Sequence, residues 1–387
     1  MTRPRACIVS AVRAACDVRT FHREARSLAA AGWDVTVVGC DAGPSRMVDG
    51  VRVVPLPRAR GVRRALRQLR AFRIALAAHA DVYQIADVEL LPLALLLRRC
   101  GRSVIYDCIE DYPAYMELKA WIPPRLRPAA RLSVAGVERF VAPRLDAVFT
   151  ADEGTADRLR AWGARVSVLH NFPRRQDFTP PPFDAVRAHD VVYHGSLPPY
   201  HLLAMADIAG ALARRAPAAR WTIVGEPDSA PARAAFEAAI ARHGLAGRVR
   251  LLGRVPFDDV PPLLRAARTG IVPLPDVPKF RTNVPMKLFE FLAAGVPAVV
   301  SDLPPTRRLL DGADVAVLVP PGDHGAFADA IAGLLGDRER AADLARRGRE
   351  AIEARFHWER EERTLLTVYA SLLCGPALGP VVEEMRA

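Results

Sequence analysis

Lysine is nearly missing from this chain. The 54 basic residues include only Lys119, Lys279 and Lys287, and the rest are arginine. Two of the three lysines stand close together, and a compact ammonium suits a crowded diphosphate pocket differently from a planar guanidinium. Cysteine is sparse as well: Cys7, Cys16, Cys40, Cys100, Cys108 and Cys374 show no C-x-x-C spacing and no disulfide-scaffold density. Reduced thiols, a cytoplasmic setting and no metal site are therefore expected. Aromatics make up 7% of the residues, and no stacking motif accompanies the arginines, which argues against nucleic acid despite a net charge of +11. No apolar run approaches the roughly 20 residues that span a bilayer; the longest, Leu90 to Leu97, is interrupted by Pro92. No strand pattern leads into G-x-G-x-x-G, which disfavours a nicotinamide-dependent dehydrogenase. The arginine-flanked start reads as a first strand rather than a signal peptide.

What is present is a long alternation of strand and helix patterns, the signature of parallel sheets covered on both faces. A first set of strands is expected at Ala6–Ala11, Val35–Val38, Val51–Val54, Val82–Ile85, Val104–Tyr106, Ala147–Thr150 and Val166–Leu169. A second is expected at Val191–Tyr193, Trp221–Val224, Val249–Leu252, Thr269–Val272, Ala298–Val300 and Val315–Leu318. Helices are expected at Arg19–Ala31, ended by Gly32, and at Ala232–His243 and Ala326–Leu335. Between the sets lies a charged, proline-rich stretch without periodicity. The division is thus residues 1–172, a linker at 173–189, residues 190–356, and a last helix at 357–387. That helix has an apolar stripe through Leu365, Leu366, Tyr369, Leu372 and Leu373 and needs a packing partner.

The segment Asn283 to Asp302 carries the most chemistry. Asn283 reads as a cap, Pro285 as a first-turn residue, and Gly295 with Pro297 as the stop. At about 100° per residue, Lys287, Glu290 and Ala294 share one sector, while Leu288, Phe289 and Leu292 share another. One face packs; the other presents an acid and a base. The same two residues also fit a plain surface ion pair.

Pro285, Lys287, Glu290, Phe291, Leu292, Ala293, Ala294, Gly295 and Pro297 match the P-x-K-x-x-E-[YF]-[ML]-A-A-G-x-P signature. The segment thereby resembles the donor-binding element of the family-four, retaining nucleotide-sugar glycosyltransferases. Earlier stretches resemble the same family: Asp17, Val18, Arg19, Phe21, Glu24, Ala25, Leu28 and Gly32; Asp87, Glu89, Leu90 and Leu91; and Tyr106, Asp107, Glu110, Asp111, Tyr112 and Pro113. The resemblance implies a GT-B fold, two Rossmann-like α/β domains with parallel sheets facing across a cleft. It places acceptor chemistry in the first domain, the donor in the second, and a C-terminal helix, opened by Trp358 and Glu359, crossing back to the first. The chain departs from the pattern at Gln84 and Ala86, where histidines are usual, at Ile109, and after Gly195, where only His201 stands for the usual basic residues.

Sugar transfer develops negative charge on the departing diphosphate. The Gly195–Ser196 loop leads into a helix opened by Pro198 and Pro199, so backbone N–H groups and the helix dipole are suited to hold phosphates. Lys287 adds charge, and Arg254, Lys279 or Arg281 stand in for the missing basic residues. By resemblance Glu290 accepts from the ribose hydroxyls, Thr282 and Asn283 take up sugar contacts, and Asp87 and Glu110 are the acceptor-side catalytic residues. Each has a plainer alternative: Asp107 and Glu110 as caps or arginine partners, Gly195 as a turn, Arg254 as a solvated charge, His170 and His194 as structural histidines. The expected activity is retaining hexosyl transfer from a nucleoside-diphosphate sugar to a glycan or lipid-linked acceptor in surface polysaccharide or glycolipid synthesis, without cofactor or metal. A non-catalytic relic that binds nucleotide sugar or a protein partner is the alternative, favoured by Gln84, Ala86 and Ile109. The basic helix Ala59–Ala80, with Val62, Leu66, Leu69 and Phe72 along one side, suits peripheral contact with an anionic membrane on its inner face, or a solvated surface.

Overall fold

The structure, a computed structural model, describes residues 3–57, 63–119, 121–179 and 187–373. The start of the expected basic helix, residues 180–186 of the expected linker and Cys374 lie outside the described residues. The chain divides into two compact units, one of residues 1–171 with 359–387 and the other of residues 172–358.

Each unit is built on one twisted sheet. In the first, β1 (Arg5–Ala14), β2 (Asp34–Cys40), β3 (Arg46–Val48), β4 (Val51–Leu56), β5 (Val82–Ile85), β6 (Ser103–Cys108), β7 (Ala147–Thr150) and β8 (Val166–Val168) lie in the order β3-β4-β2-β1-β5-β6-β7-β8. All neighbours are parallel except β3 and β4. The second unit orders β9 (His189–His194), β10 (Trp221–Val224), β11 (Val249–Gly253), β12 (Ala267–Val272), β13 (Ala298–Ser301) and β14 (Val317–Val319) as β11-β10-β9-β12-β13-β14. Helices cover both faces of such a sheet, so central strands are buried on every residue, as β5, β7, β10 and β13 are. In both sheets the winding direction reverses once, between β1 and β5 and between β9 and β12. Ligand crevices in open α/β sheets form at such switch points, beyond the carboxyl ends of the strands.

Several expectations need correction. β3 was not anticipated; it forms a hairpin with β4 through Asp49 (φ 50°) and Gly50 (φ 78°), the Asp-Gly turn that favours a primed two-residue loop. The first helix begins as a π-helical stretch, Val18–Ala25, capped by Asp17, before its α-helical part Arg26–Ala30. β14 starts two residues later than expected, at Val317. Residues 173–179, read as linker, pack into the second unit: Phe178 is fully buried, and Arg349 Nη1 donates to its carbonyl at 2.8 Å. In the helix Arg63–Ala77 the inward side is Arg67, Ala71 and Ala75; Phe72 is half-buried against the core, whereas Leu66 and Leu69 are exposed.

The last helix, Trp358–Leu373, belongs from Glu359 onward to the first unit. Leu365 and Tyr369 are fully buried, whereas Leu373 is exposed, so the inward stripe is narrower than its apolar residues suggested. Tyr369 O–H donates to Gln84 Oε1 at 2.7 Å, and Gln84 Nε2 donates to Glu24 Oε2 at 2.7 Å. Arg19 lies between Glu24 (3.0 Å) and Asp107 (2.7 Å), and its Nη1 donates to the Leu169 carbonyl and to Asn171 Oδ1. All these side chains except Asn171 are nearly or fully buried. Burial next to Asp107 raises the Glu24 carboxyl to about 8, with Arg19 opposing. Gln84 thus has a structural reason to be an amide: it donates to a carboxylate and accepts from a phenol at once, which a carboxylate or an aliphatic side chain cannot do.

Gly270 on β12 touches the ring of Phe291, and an added Cβ would come within 2.4 Å of it. Gly270→Ala is expected to destabilise the second unit by about 1–3 kcal/mol through overpacking, read as a lower urea midpoint followed by Trp221 fluorescence.

Candidate functional site

The second unit ends three adjacent strands in the same way: VVYHG, WTIVG and VRLLG, closing on Gly195, Gly225 and Gly253. All three glycines have positive φ, at 119°, 149° and 76°. Gly195 N–H donates to the Val224 carbonyl at 2.9 Å and Gly225 N–H to the Gly253 carbonyl at 2.8 Å, which ties the turns together. A Cβ on Gly225 would sit 2.1 Å from the Gly195 carbonyl oxygen, so no side chain fits at that position. Gly225 and Gly253 were missed by the sequence reading, although the repeated ending of an apolar strand in glycine was there to find.

Gly195 follows β9, the strand at the switch point, and the helix Pro199–Ala213 begins four residues later with Pro198 as its cap. The loop is shaped from below: Tyr193 O–H donates to the Ser196 carbonyl at 2.9 Å and lies 3.0 Å from His201 Nδ1. Ser196 itself is exposed. The other half of the site follows β12. Here the helix Met286–Ala293 buries Leu288, Phe289, Phe291 and Leu292 and leaves Lys287 and Glu290 partly exposed, as the helical spacing demands. Pro285, not Asn283, occupies the cap position; Asn283 N–H donates instead to the Lys279 carbonyl at 3.2 Å.

The two halves meet. Lys287 runs across the Gly195 turn so closely that a Cβ there would lie 2.3 Å from its Cε and 2.9 Å from its Nζ. Its ammonium also lies 5.5 Å from the centre of the Tyr193 ring. Glu290 Oε2 lies 3.2 Å from His194 Nε2, at the last residue of β9. An exposed loop of N–H groups, an ammonium and a carboxylate are thus assembled beyond the carboxyl ends of β9 and β12. Such a set can hold an anion on one side and a hydroxyl pair on the other.

The remaining expected residues differ in how they are placed. Lys279 is 9% exposed and lies over the Phe280 ring. Arg281 is exposed and forms a two-pronged pair with Asp276 at 2.7 and 3.0 Å. Arg254 is exposed just past Gly253, and Thr282 donates its hydroxyl to the Lys279 carbonyl. In the first unit Asp87 follows β5 at that sheet's own switch point, is 4% exposed, and accepts from Ser10 Oγ, Ala11 N–H (2.6 Å) and Val12 N–H (3.2 Å). Burial raises its pKa, while Arg13 and these donors oppose the rise. Glu110 follows β6 and is half-buried; its field and those of Asp17 and Asp87 act on Arg13. Ala86 and Ile109, at the positions where the resemblance leads one to expect histidine, are buried apolar residues, and the Ala86 carbonyl accepts from Tyr112 O–H.

His194 and His201 are both almost fully buried. Burial first, then Lys287, lowers His194 to about 4 against the pull of Glu290; the same two causes lower His201 to about 3. Both are neutral at pH 7. The unfolded chain takes up these protons near pH 6.5 and the folded one does so only below 4, so stability is full above pH 6.5 and is lost as the pH falls. Urea unfolding at pH 5 is expected to show a loss on the order of 1–2 kcal/mol per histidine relative to pH 7.5, and His201→Phe is expected to remove one such share.

Comparison with known proteins gives a consistent picture. The family model described as Glycosyl transferase 4-like domain matches residues 18–174, and that described as Glycosyl transferases group 1 matches residues 188–337. Phosphatidyl-myo-inositol mannosyltransferase of Mycobacterium leprae is 33% identical over 129 residues, covering 33% of this chain and 33% of that protein. D-inositol 3-phosphate glycosyltransferase of Salinispora tropica is 33% identical over 129 residues, covering 33% of this chain and 26% of that protein. The matched stretch therefore spans at most about a third of these curated relatives. Among solved structures, sucrose-phosphate synthase from Thermosynechococcus elongatus superposes with a TM-score of 0.75 at 18% identity, over 96% of this chain and all of that one. Anabaena HepE in complex with UDP and glucose gives 0.73 at 16% identity, over 95% of this chain and 100% of that one. The shared architecture is the GT-B fold, with two parallel-sheet α/β domains.

Proposed function

The chain belongs to the family-four glycosyltransferases, and from that premise we propose that it is a retaining hexosyltransferase that moves a sugar from a nucleoside-diphosphate sugar to a glycan or lipid-linked acceptor. The observation that carries this reading is the meeting of Lys287 and Glu290 with the Gly195 turn. The diphosphate lies along the exposed N–H groups after Gly195, and the Lys287 ammonium neutralises charge as the bond to the sugar breaks. Lys279 and Arg254 add positive field, and no metal is required. Glu290 accepts from the ribose hydroxyls, while Thr282 and Asn283 face the sugar. The leaving phosphate removes the acceptor proton on the same face, so no protein nucleophile is needed. That route tolerates Ala86 and Ile109, with Asp87 and Glu110 serving the acceptor. The names of the curated relatives, which act on inositol-containing acceptors, support a polyol or glycolipid acceptor and a role in surface glycan synthesis.

A peripheral membrane position at the cytoplasmic face completes the reading. No helix among the described residues is long and apolar enough to cross a bilayer. The helix Arg63–Ala77 nevertheless exposes Leu66 and Leu69 at 62% and 61%, together with Leu76, Arg70 and Arg73, and contains no acid. Apolar side chains that enter the headgroup region beside arginines that meet anionic lipid are what an interfacial helix requires.

One of UDP, GDP and ADP is expected to raise the melting temperature. Saturation at about 100 times Kd corresponds to about 2.7 kcal/mol, and Glu290→Gln should weaken that ligand by about 1.5–3 kcal/mol. Slow, EDTA-insensitive hydrolysis of the matching sugar nucleotide then separates an enzyme from a relic; binding without any turnover supports the relic. In flotation assays the protein is expected to rise with phosphatidylglycerol vesicles and not with neutral ones, and Leu66→Asp with Leu69→Asp should abolish the rise.

A further inference from the structure

The interior of the first unit holds two acids and one base. Arg19, Glu24 and Asp107 are 3%, 0% and 0% exposed, and Gln84 and Tyr369, which close the set, are fully buried. With both carboxyls ionised the group carries one excess negative charge where no water reaches it, and a buried charge without a partner is more costly than the proton that would cancel it. The hydrogen bonds show which acid lacks the partner. Arg19 directs Nε at both oxygens of Asp107 (3.1 and 2.9 Å), Nη2 at Asp107 Oδ1 (2.7 Å), and Nη1 at the Leu169 carbonyl and Asn171 Oδ1. Glu24 Oε1 lies 3.0 Å from Arg19 Nε, but the single hydrogen of that nitrogen serves Asp107, and among the described residues Oε1 accepts no hydrogen bond. Glu24 Oε2 has one donor, Gln84 Nε2 at 2.7 Å, which also donates to Asp107 Oδ2 at 3.3 Å. An ionised carboxylate has room for about four donors. Asp107 is served as an anion and Glu24 is not.

We propose that Glu24 carries a buried proton in the folded first unit, and that release of this proton in alkaline solution loosens the seat of the last helix, a pH-sensitive latch built into the sheet. The surrounding groups do not offer a substitute for the proton. Asp107 of β6 and Asp17, the cap of the π-helical stretch, act on Glu24 as anions, and Arg19 is the cation that opposes them. Burial keeps Tyr369 of the last helix well above the ordinary phenol range and raises Cys7 of β1, beside it, to about 12, so both stay neutral; Arg13 of β1 acts on Arg19. Loss of the proton leaves the excess charge against the Gln84 amide, whose oxygen accepts from Tyr369 O–H at 2.7 Å, so the strain falls on β5, β6 and the last helix together. The unfolded chain releases this proton near the ordinary carboxylate value, the folded one only at about 8. Between those values the folded state binds the extra proton, so stability falls as the pH rises through the window and is level above it. The slope is opposite to that of the buried histidines of the second unit, whose contribution is already full above pH 6.5.

The test is hydrogen–deuterium exchange of the full chain between pH 6.5 and pH 9, read by mass spectrometry and corrected for the intrinsic pH dependence of exchange. Peptides of β5, β6 and the last helix should lose protection by about tenfold per pH unit up to about pH 8 and then level off, while peptides of β9 and β12 stay within about twofold. In Glu24→Gln, the isostere of the neutral carboxyl, protection at pH 6.5 should lie within about threefold of wild type and should not fall, so that at pH 9 the variant is the better protected by about tenfold. A merely structural role for Glu24 cannot give that crossing. Contributions from His170, 3.6 Å from Glu361, and from Asp152, raised by burial to about 6, are common to both proteins. Wild-type protection that is level across the range overturns the proposal, and so does a Glu24→Gln protein whose protection falls as steeply as that of wild type or stands lower at every pH. If Glu24→Gln does not fold, the infrared difference spectrum of the wild type between pH 6.5 and pH 9 decides. A neutral carboxylic-acid band that shifts on ¹³C labelling of glutamate and is lost at pH 9 supports the proposal; its absence at pH 6.5 overturns it.

Discussion

The candidate site depends on the absence of one carbon atom. Lys287 can cross the Gly195 turn only because Gly195 has no Cβ, and the turn can take its conformation only because φ there is positive. Both halves of the site follow from strand ends at a single switch point. β9 delivers His194 and the turn, and β12 leads to the helix that carries Lys287 and Glu290. The Gly195 turn and the Lys287 ammonium are therefore brought together by topology, and the close fit between them depends on glycine. Gly225 and Gly253 continue the positive-φ turns along the edge, and at Gly225 a Cβ would clash with the Gly195 carbonyl oxygen.

The first unit follows a different design. Its interior carries the Arg19 guanidinium between Glu24 and Asp107, with Gln84 and Tyr369 completing the set. A buried ion pair of this sort is weak evidence of added stability, since desolvation offsets much of the attraction. What the arrangement does is fix which segments lie together: the π-helical stretch, β5, β6, the Leu169–Asn171 segment and the last helix all contribute a group. Removing any one of them leaves a buried charge or polar atom unpaired, which is the costly outcome.

Much of this was legible in the sequence, and the reasons for the misses are physical. Parallel strands buried on both faces read as short Val- and Ile-rich runs, so their existence was plain, while β3, exposed and antiparallel, showed itself only through Asp49-Gly50. The helix carrying Lys287 and Glu290 was readable from its 3.6-residue spacing. The identity of its cap was not, because Pro285 fixes the chain direction without any side-chain hydrogen bond and Asn283 is used one turn earlier. Arg281 looked like a free cation in the sequence; Asp276, five residues away, forms a two-pronged pair with it. Gln84 looked like erosion of a site, and proves to be the amide that joins a phenol to a carboxylate. Pairings of this kind depend on which strands become neighbours, which a single sequence does not display.

The bond between Tyr369 and Gln84 also sets an order of events during synthesis. The first unit is assembled from two stretches with the entire second unit between them. Its polar interior has no Tyr369 until the ribosome has passed that codon, and by then residues 172–358 have all been made. The second unit is thus the first that can finish, and the amino-terminal sheet must wait, incompletely closed, for a helix encoded after the whole of the second unit.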